Sequence, residues 1–237
     1  MCRSICCSAA ASASRSRRCG VTCTAWTSPT SARATGCSPT PSIEKKRALQ
    51  TRLAELDPAT GLWAQDETDI RLFPPLRKSW SRRGQQAAVD LHGRNQKQVL
   101  FGGLDLRTGE RVLLPRRRPT AADFAQWLLL LRQRAGEQPL CVLLDENSCH
   151  KAAASRALAA QLGIELLFLP TRSPHLNPAD HLWRAAKQHV CANRQDQTLD
   201  SLMQAVVYYL AQLSPEQVLR KAGVLSRRFW LRRAVLR

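Results

Sequence analysis

"PLCVLLDENSCHKAAASRALAAQLGIELLFLPTRSPHLNPADHLWRAAK", Pro139 to Lys187, is the stretch whose reading decides the fold. Its opening, PLCVLLDE (139–146), is a short continuous apolar run that ends in acids, the pattern of a central strand buried on both faces. HKAAASRALAAQLG (150–163) reads as a helix closed by Gly163. IELLFLP (164–170) reads as a second buried strand, and NPADHLWRAAKQHVCANR (177–194) as a helix. Two buried strands joined by a helix are expected to be parallel neighbours with a right-handed crossover.

Outward from this unit, TAADFAQWLLLLRQRAG (120–136) has both helix ends marked, Thr120 with Asp123 as a capping box and Gly136 as the stop. KQVLFGGLDL (97–106) and ERVLLP (110–115) form a hairpin pattern turned at Arg107-Thr108-Gly109. LWAQDETDIRLF (62–73) alternates as a strand that carries Asp66, and IEKKRALQTRLAEL (43–56) is a short amphipathic helix stopped by Asp57-Pro58. From the first strand the order is β-β-β-α-β-α-β-α. It describes an α/β domain with a mixed five-stranded sheet, a three-strand antiparallel meander and helices on both faces.

Three segments are expected: a leader over 1–42, a catalytic domain over 43–200, and C-terminal helices with a basic tail over 201–237. The leader is rich in Ser, Cys, Ala, Arg and Thr, carries no acid and shows no period, so it reads as disordered or as an out-of-frame translation. The tail, LSRRFWLRRAVLR, alternates basic and apolar residues in the manner of a phosphate-contacting segment.

Across the 237 residues, 36 Lys and Arg against 18 Asp and Glu give a net charge of +18, which points to a polyanionic partner. The excess is patchy and concentrates in 71–118 and 219–237. No run approaches the roughly 18–20 apolar residues of a membrane span, so no membrane partner is expected. Six of the nine cysteines fall in the first 40 residues, no pair has a C-x-x-C spacing, and there is no secretory h-region. This usage fits a reducing cytoplasm.

Three acids stand where the topology gathers functional groups: Asp66 on the first strand, Asp145 at the C-terminal end of the fourth, and Asp180 in the first turn after the fifth. Hard divalent cations take oxygen ligands, and two such ions held by carboxylates serve phosphodiester displacement. Each acid also has a plain structural reading. Asp145 could cap the helix that starts near His150, and Asp66 could be an edge charge in QDETD, with Glu67 on the opposite strand face. Asp180 could complete a capping box begun by Asn177 and Pro178. The histidines show no Ser-His-Asp or Cys-His order, and FGGLDL has its glycines inside a strand pattern, unlike a phosphate loop.

These residues resemble the catalytic signature of mariner-type DDE transposases, in the bacterial insertion-sequence branch. The matches are Asp145, Asn147, His150 and Lys151, then Leu169, Pro170, Ser173, Pro174, Leu176, Asn177, Pro178, Trp183 and Lys187. Between Asp145 and Asp180 lie 34 residues, the spacing of that family. Upstream, WAQDETDIRLFPPLRKSWSRRGQQ places Asp66, Trp80 and Gly84 where the family has its first acid, Trp and Gly. Departures are Asp180 for a common Glu, Glu146 for Asn, His175 for Glu and Arg172 for a frequent Tyr.

The resemblance implies an RNase H-like fold in which Asp66, Asp145 and Asp180 hold two Mg²⁺ or Mn²⁺ for DNA strand cleavage and strand transfer at insertion-sequence ends. The implied partners are DNA, both the inverted-repeat ends and the target, and a second copy of the chain. The implied location is the bacterial cytoplasm at the nucleoid. Lys151, Arg184, Lys187 and the run Arg116, Arg117 and Arg118 are candidate phosphate contacts, although an Asp180–Arg184 ion pair with Lys187 solvated is equally compatible. Asn177, Pro178 and Trp183 are candidate supports. Family members carry an N-terminal helix-turn-helix that 1–42 does not supply, which suggests a truncated or frameshifted copy, and a remnant that only binds DNA is the alternative.

Overall fold

The computed structural model describes residues 41–85 and 88–235. At its centre is β1 (Gly61–Arg71), whose alternation of Leu62, Ala64 and Ile70 with Trp63 sends apolar side chains to both faces of the sheet. It pairs antiparallel with β2 (Lys97–Asp105), which pairs antiparallel with β3 (Arg111–Arg116). On its other side it runs parallel to β4 (Leu140–Leu144), and β4 parallel to β5 (Ile164–Phe168), giving the order β3-β2-β1-β4-β5. The mixed sheet with an antiparallel meander is the expected one. All five residues of β4 are buried, as a strand covered on both faces requires.

One face packs on α1 (Pro41–Ala54), α5 (Pro178–Ala186), α6 (Leu199–Gln212) and α7 (Pro215–Lys221). The other packs on α2 (Ala121–Ala135) and α4 (Ala153–Gln161) through Phe124, Trp127, Leu128, Leu131 and Ala159. The adjacent glycines of FGGLDL serve this two-sided packing. A Cβ on Gly102 would lie 2.7 Å from Cζ2 of Trp183, and one on Gly103 would lie 3.0 Å from Cη2 of Trp127. The sheet therefore receives one indole from α5 and one from α2 at neighbouring positions of β2. Truncating either tryptophan to Ala costs about 3–5 kcal/mol by the usual measure of a large core deletion.

Several boundaries differ from those expected. The helix read over 150–163 is two pieces, α3 (Ser148–Lys151) and α4, because Ala152 is extended (φ −53, ψ 137) and Ser155 Oγ donates to Cys149 O at 2.7 Å. The helix read over 177–194 ends as α5 at Ala186 and continues as a wider π turn over Lys187–Cys191, which keeps both Val190 and Cys191 buried. The first helix starts at Pro41, so residues 41–42 belong to it, and the rest of the expected leader lies outside the described residues.

The expected boundary at 200 falls inside α6. Leu202, Met203, Val206 and Leu210 of that helix share a core with Leu62 and Ala64 of β1. The basic tail closes with α8 (Arg232–Val235), where Leu231, Ala234 and Val235 are buried while Arg227, Arg228, Arg232 and Arg233 stay exposed. Among the described residues no helix is long and apolar enough to cross a membrane.

Candidate metal centre

β1 and β4 run parallel with Ala64 opposite Leu143. Continuing that register two residues sets Asp66, midway along β1, beside Asp145, which follows the last residue of β4. Asp66 shares its strand face with Leu62 and Ala64, the face covered by α5. Asp180 is the third residue of α5, and the start of that helix is tied to β1. Asn177 Oδ1 accepts the Ala179 N–H at 3.1 Å, while its Nδ2 donates to Gln65 O at 2.8 Å, across 112 residues of sequence. Asn177 is thus both the helix cap and a strut to the strand that carries Asp66. Pro178 fills the first helical position, and Trp183, one turn after Asp180, lies on Gly102.

The capping box read at Asp180 does not form. The Asn177 N–H, which Asp180 would have had to accept, donates to Pro174 O at 2.9 Å. The Asp180 carboxylate instead accepts from Arg184 Nη2 at 2.7 Å, the i,i+4 pair anticipated from the sequence. Nor is Asp145 the cap of the following helix. Asn147 holds that position, and Asp145 Oδ1 accepts the Asn147 N–H at 3.0 Å in a local turn.

Burial, then the negative charges of Glu67, Asp145 and Asp180, raise the Asp66 pKa from its ordinary 3.8 to about 8. No side-chain hydrogen bond or ion pair among the described residues relieves it. Asp145 is held below the ordinary carboxylate range by its hydrogen bond from His150, against a partial opposing effect of burial, with help from the Asn147 N–H and the charges of His150 and Lys151. A cleft of about 270 Å³ opens over these groups, lined by Asp66, Asp145, Glu146, Asn147, Arg172 and Asn177 among others. Asp66 and Asp145 both line this cleft, whereas Asp180 does not, and carboxylate oxygens of this kind suit a hard divalent cation; burial first and like charge second keep Asp66 from ionising readily without a counter-charge.

His150, which the sequence offered only as part of a pattern, is fully buried behind this cleft. Its Nδ1 lies 2.9 Å from Asp145 Oδ1 and also hydrogen-bonds the Asp145 main-chain O at 3.2 Å, and its Nε2 lies 2.7 Å from Glu67 Oε1. Glu67 also accepts from Gln65 Nε2 at 3.0 Å, and the imidazole packs on Phe124 with ring centroids 4.5 Å apart. Burial opposes a charge on His150, but hydrogen bonds with Asp145, Cys149 and Glu67 outweigh it and carry its pKa from 6.5 up to about 12. Glu67, Cys149 and His150 place ligand-type atoms within 4.8 Å of one another. Both ring nitrogens are engaged by carboxylates, so the group reads as a hydrogen-bonded chain, not a metal cage.

The candidate phosphate contacts divide. Lys151 is exposed and 3.8 Å from Glu146, which Lys45 also engages. Arg184 is committed to Asp180, and Lys187 is half-buried, with burial lowering its pKa. Arg116 stands opposite Val99, itself opposite Asp69, so the run 116–118 lies two strands from β1 and beyond the level of Asp66, which Gly102 and Leu113 mark, and three strands from β4. Arg116 is paired with Asp123 at 3.0 Å, whereas Arg117 and Arg118 are exposed beside Gln98 and the start of α6.

The chain is similar to solved transposase structures. It matches the Mos1 transposase paired-end complex with left transposon end at a TM-score of 0.63 and 21% identity, over 88% of this chain and 66% of that one. It matches the catalytic domain of Mos1 mariner transposase at 0.57 and 19%, over 81% and 90%. These likenesses show the fold, an RNase H-like mixed sheet. In sequence it is 27% identical over 176 residues to the insertion element IS630 uncharacterized 39 kDa protein of Shigella sonnei, covering 73% of this chain. The chain spans about half (51%) the length of that curated relative. The sequence model of the DDE superfamily endonucleases matches residues 61–203, from the first residue of β1 into α6 and across all three aspartates, and the chain belongs to that family.

Proposed function

We propose that this chain is the catalytic part of a transposase, cutting and joining DNA strands at the ends of an insertion sequence. Asp66, Asp145 and Asp180 are its metal ligands, for two Mg²⁺ or Mn²⁺ ions. The observation that carries this reading is Asp66, whose pKa burial first, and then the charges of Glu67, Asp145 and Asp180, raise to about 8, and which has no ion pair among the described residues. When bound, such ions supply activation of an attacking oxygen and charge compensation at the leaving one. The protein's own part is to converge the three carboxylates from β1, the end of β4 and the first turn of α5. Its exposed Arg117, Arg118 and Lys151 take phosphates. The partners proposed are the element's inverted repeats, target DNA and a second copy of the chain, in the bacterial cytoplasm at the nucleoid.

Purified protein with Mn²⁺ or Mg²⁺ and linear DNA bearing the flanking repeats is expected to nick at the repeat ends, and Asp145→Ala to abolish nicking. Undiminished nicking by Asp145→Ala would refute the assignment. A DNA-binding remnant without productive chemistry is the second reading, favoured by Asp180, which is engaged by Arg184 and is not among the residues lining the cleft. Salt-sensitive DNA binding without any metal-dependent nicking by the wild type would select it.

A further inference from the structure

We propose that His150 is the positioning residue of the centre, a buried tether whose Nδ1 side orients the Asp145 carboxylate for cation binding and whose Nε2 side is anchored on Glu67. The inference rests on the metal-ligand reading of Asp145. Asp145 follows the last residue of β4 and is exposed, and besides His150 only the Asn147 N–H, at 3.0 Å from Oδ1, holds its carboxylate among the described residues. His150 is at 0% exposure only five residues on, and its ring crosses from the Asp145 side of the β4 end to the opposite face of β1. There Glu67 receives it at 2.7 Å, with Gln65 Nε2 on the same carboxylate at 3.0 Å. Phe124 of α2 packs on the ring, so the ring plane is set by the core.

The consequence is a rigid chain from the interior to an exposed ligand: Gln65, Glu67, His150, Asp145. Partners that orient a metal ligand are typically worth about 10–100-fold in metal affinity. The break between α3 and α4 belongs to the same arrangement. Ending the short helix after Lys151 lets Ser155 donate to Cys149 O, which fixes the residue adjacent to His150.

A pair of variants separates tethering from bulk packing. An Asn amide can place a donor near Nδ1 and a Gln amide one near Nε2. His150→Asn therefore keeps a donor for Asp145 and loses Glu67, whereas His150→Gln keeps Glu67 and loses Asp145. Mn²⁺ binding to the full chain, followed by the electron paramagnetic resonance of the free ion, is expected to weaken about 10–100-fold in His150→Gln and to stay within about threefold of wild type in His150→Asn. Metal-free crystal structures of both variants form the second arm. The Asp145 carboxylate is expected to keep its place in His150→Asn and to rotate away in His150→Gln. Equal Mn²⁺ affinity in the two variants, or an unmoved Asp145 in His150→Gln, overturns the tether. Failure of the metal reading shows separately, as unchanged Mn²⁺ binding in Asp145→Asn, and the crystallographic arm then decides the tether by itself.

Discussion

Arg184 Nη2 donates to Asp180 Oδ2 at 2.7 Å, so the third acid of the proposed centre is held by a cation of its own helix. The pair is partly exposed, at 58% and 37% of the side-chain surfaces, and exposed i,i+4 pairs contribute about 0.3–0.5 kcal/mol. Arg184→Ala is therefore expected to shift the melting temperature by no more than a degree or two, while releasing Asp180 and tightening Mn²⁺ binding several-fold. Calorimetry and a Mn²⁺ titration check both halves. Weaker Mn²⁺ binding in Arg184→Ala would mean that the arginine orients Asp180 and does not compete for it.

Asp66 gives the metal-free protein a signed pH dependence. Its folded pKa of about 8 lies above the ordinary 3.8, so between those values the folded state binds more protons than the unfolded chain. Stability contributed by this group is full below the ordinary value and is lost as pH rises towards 8. Asp66→Asn removes that loss, and the difference between wild type and Asp66→Asn in chelator-treated samples is expected to grow from pH 5 to pH 8, with the variant the more stable at pH 8. Adding Mn²⁺ at pH 7 should narrow the gap from the wild-type side, with proton release measurable in weak buffer. A gap independent of pH would refute the raised pKa.

Gly102 is a packing position. Its Cβ would fall 2.7 Å from Cζ2 of Trp183 and 3.2 Å from Cδ2 of Leu113, and a buried indole has little room to retreat. Gly102→Ala is expected to destabilise by about 1–3 kcal/mol, read as a lower urea midpoint at unchanged slope. Because Trp183 lies one turn from Asp180, Mn²⁺ affinity should fall as well.

The basic run after β3 is expected to act unevenly. Arg117 and Arg118 are exposed, and each phosphate contact contributes roughly −0.9 to the slope of log K against log salt. Replacing both by Ala should flatten the slope for duplex DNA by about 1.8, by the same measure. Arg116, already paired with Asp123 in the first turn of α2, should change the slope less and lower the melting temperature more. Equal slopes for the double variant and wild type, measured by fluorescence anisotropy, would remove this edge from the DNA path.

Much of the molecule is legible from local sequence alone. Period-two alternation in 62–73, the continuous apolar run at 139–146 and the capping residues Thr120 and Gly136 each act within a few residues, so element order and sheet type follow from them. The positions of the three aspartates, within a strand, after a strand end and in a helix start, are also local features, and their grouping as one set came from the resemblance and the 34-residue spacing. What tertiary structure alone decided lies between residues far apart in the chain. Glu67 and His150 are 83 residues apart, and Asn177 meets Gln65 O across 112, contacts that no periodicity encodes. Asp180 chose Arg184 over the capping position because the Asn177 N–H was already taken by Pro174 O. The two glycines of β2, with no local reason to be there, exist because Trp183 and Trp127 approach the strand from opposite faces. Periodicity reports which side of an element is apolar; which partner fills the space beside it is set by close packing and by satisfying buried polar groups.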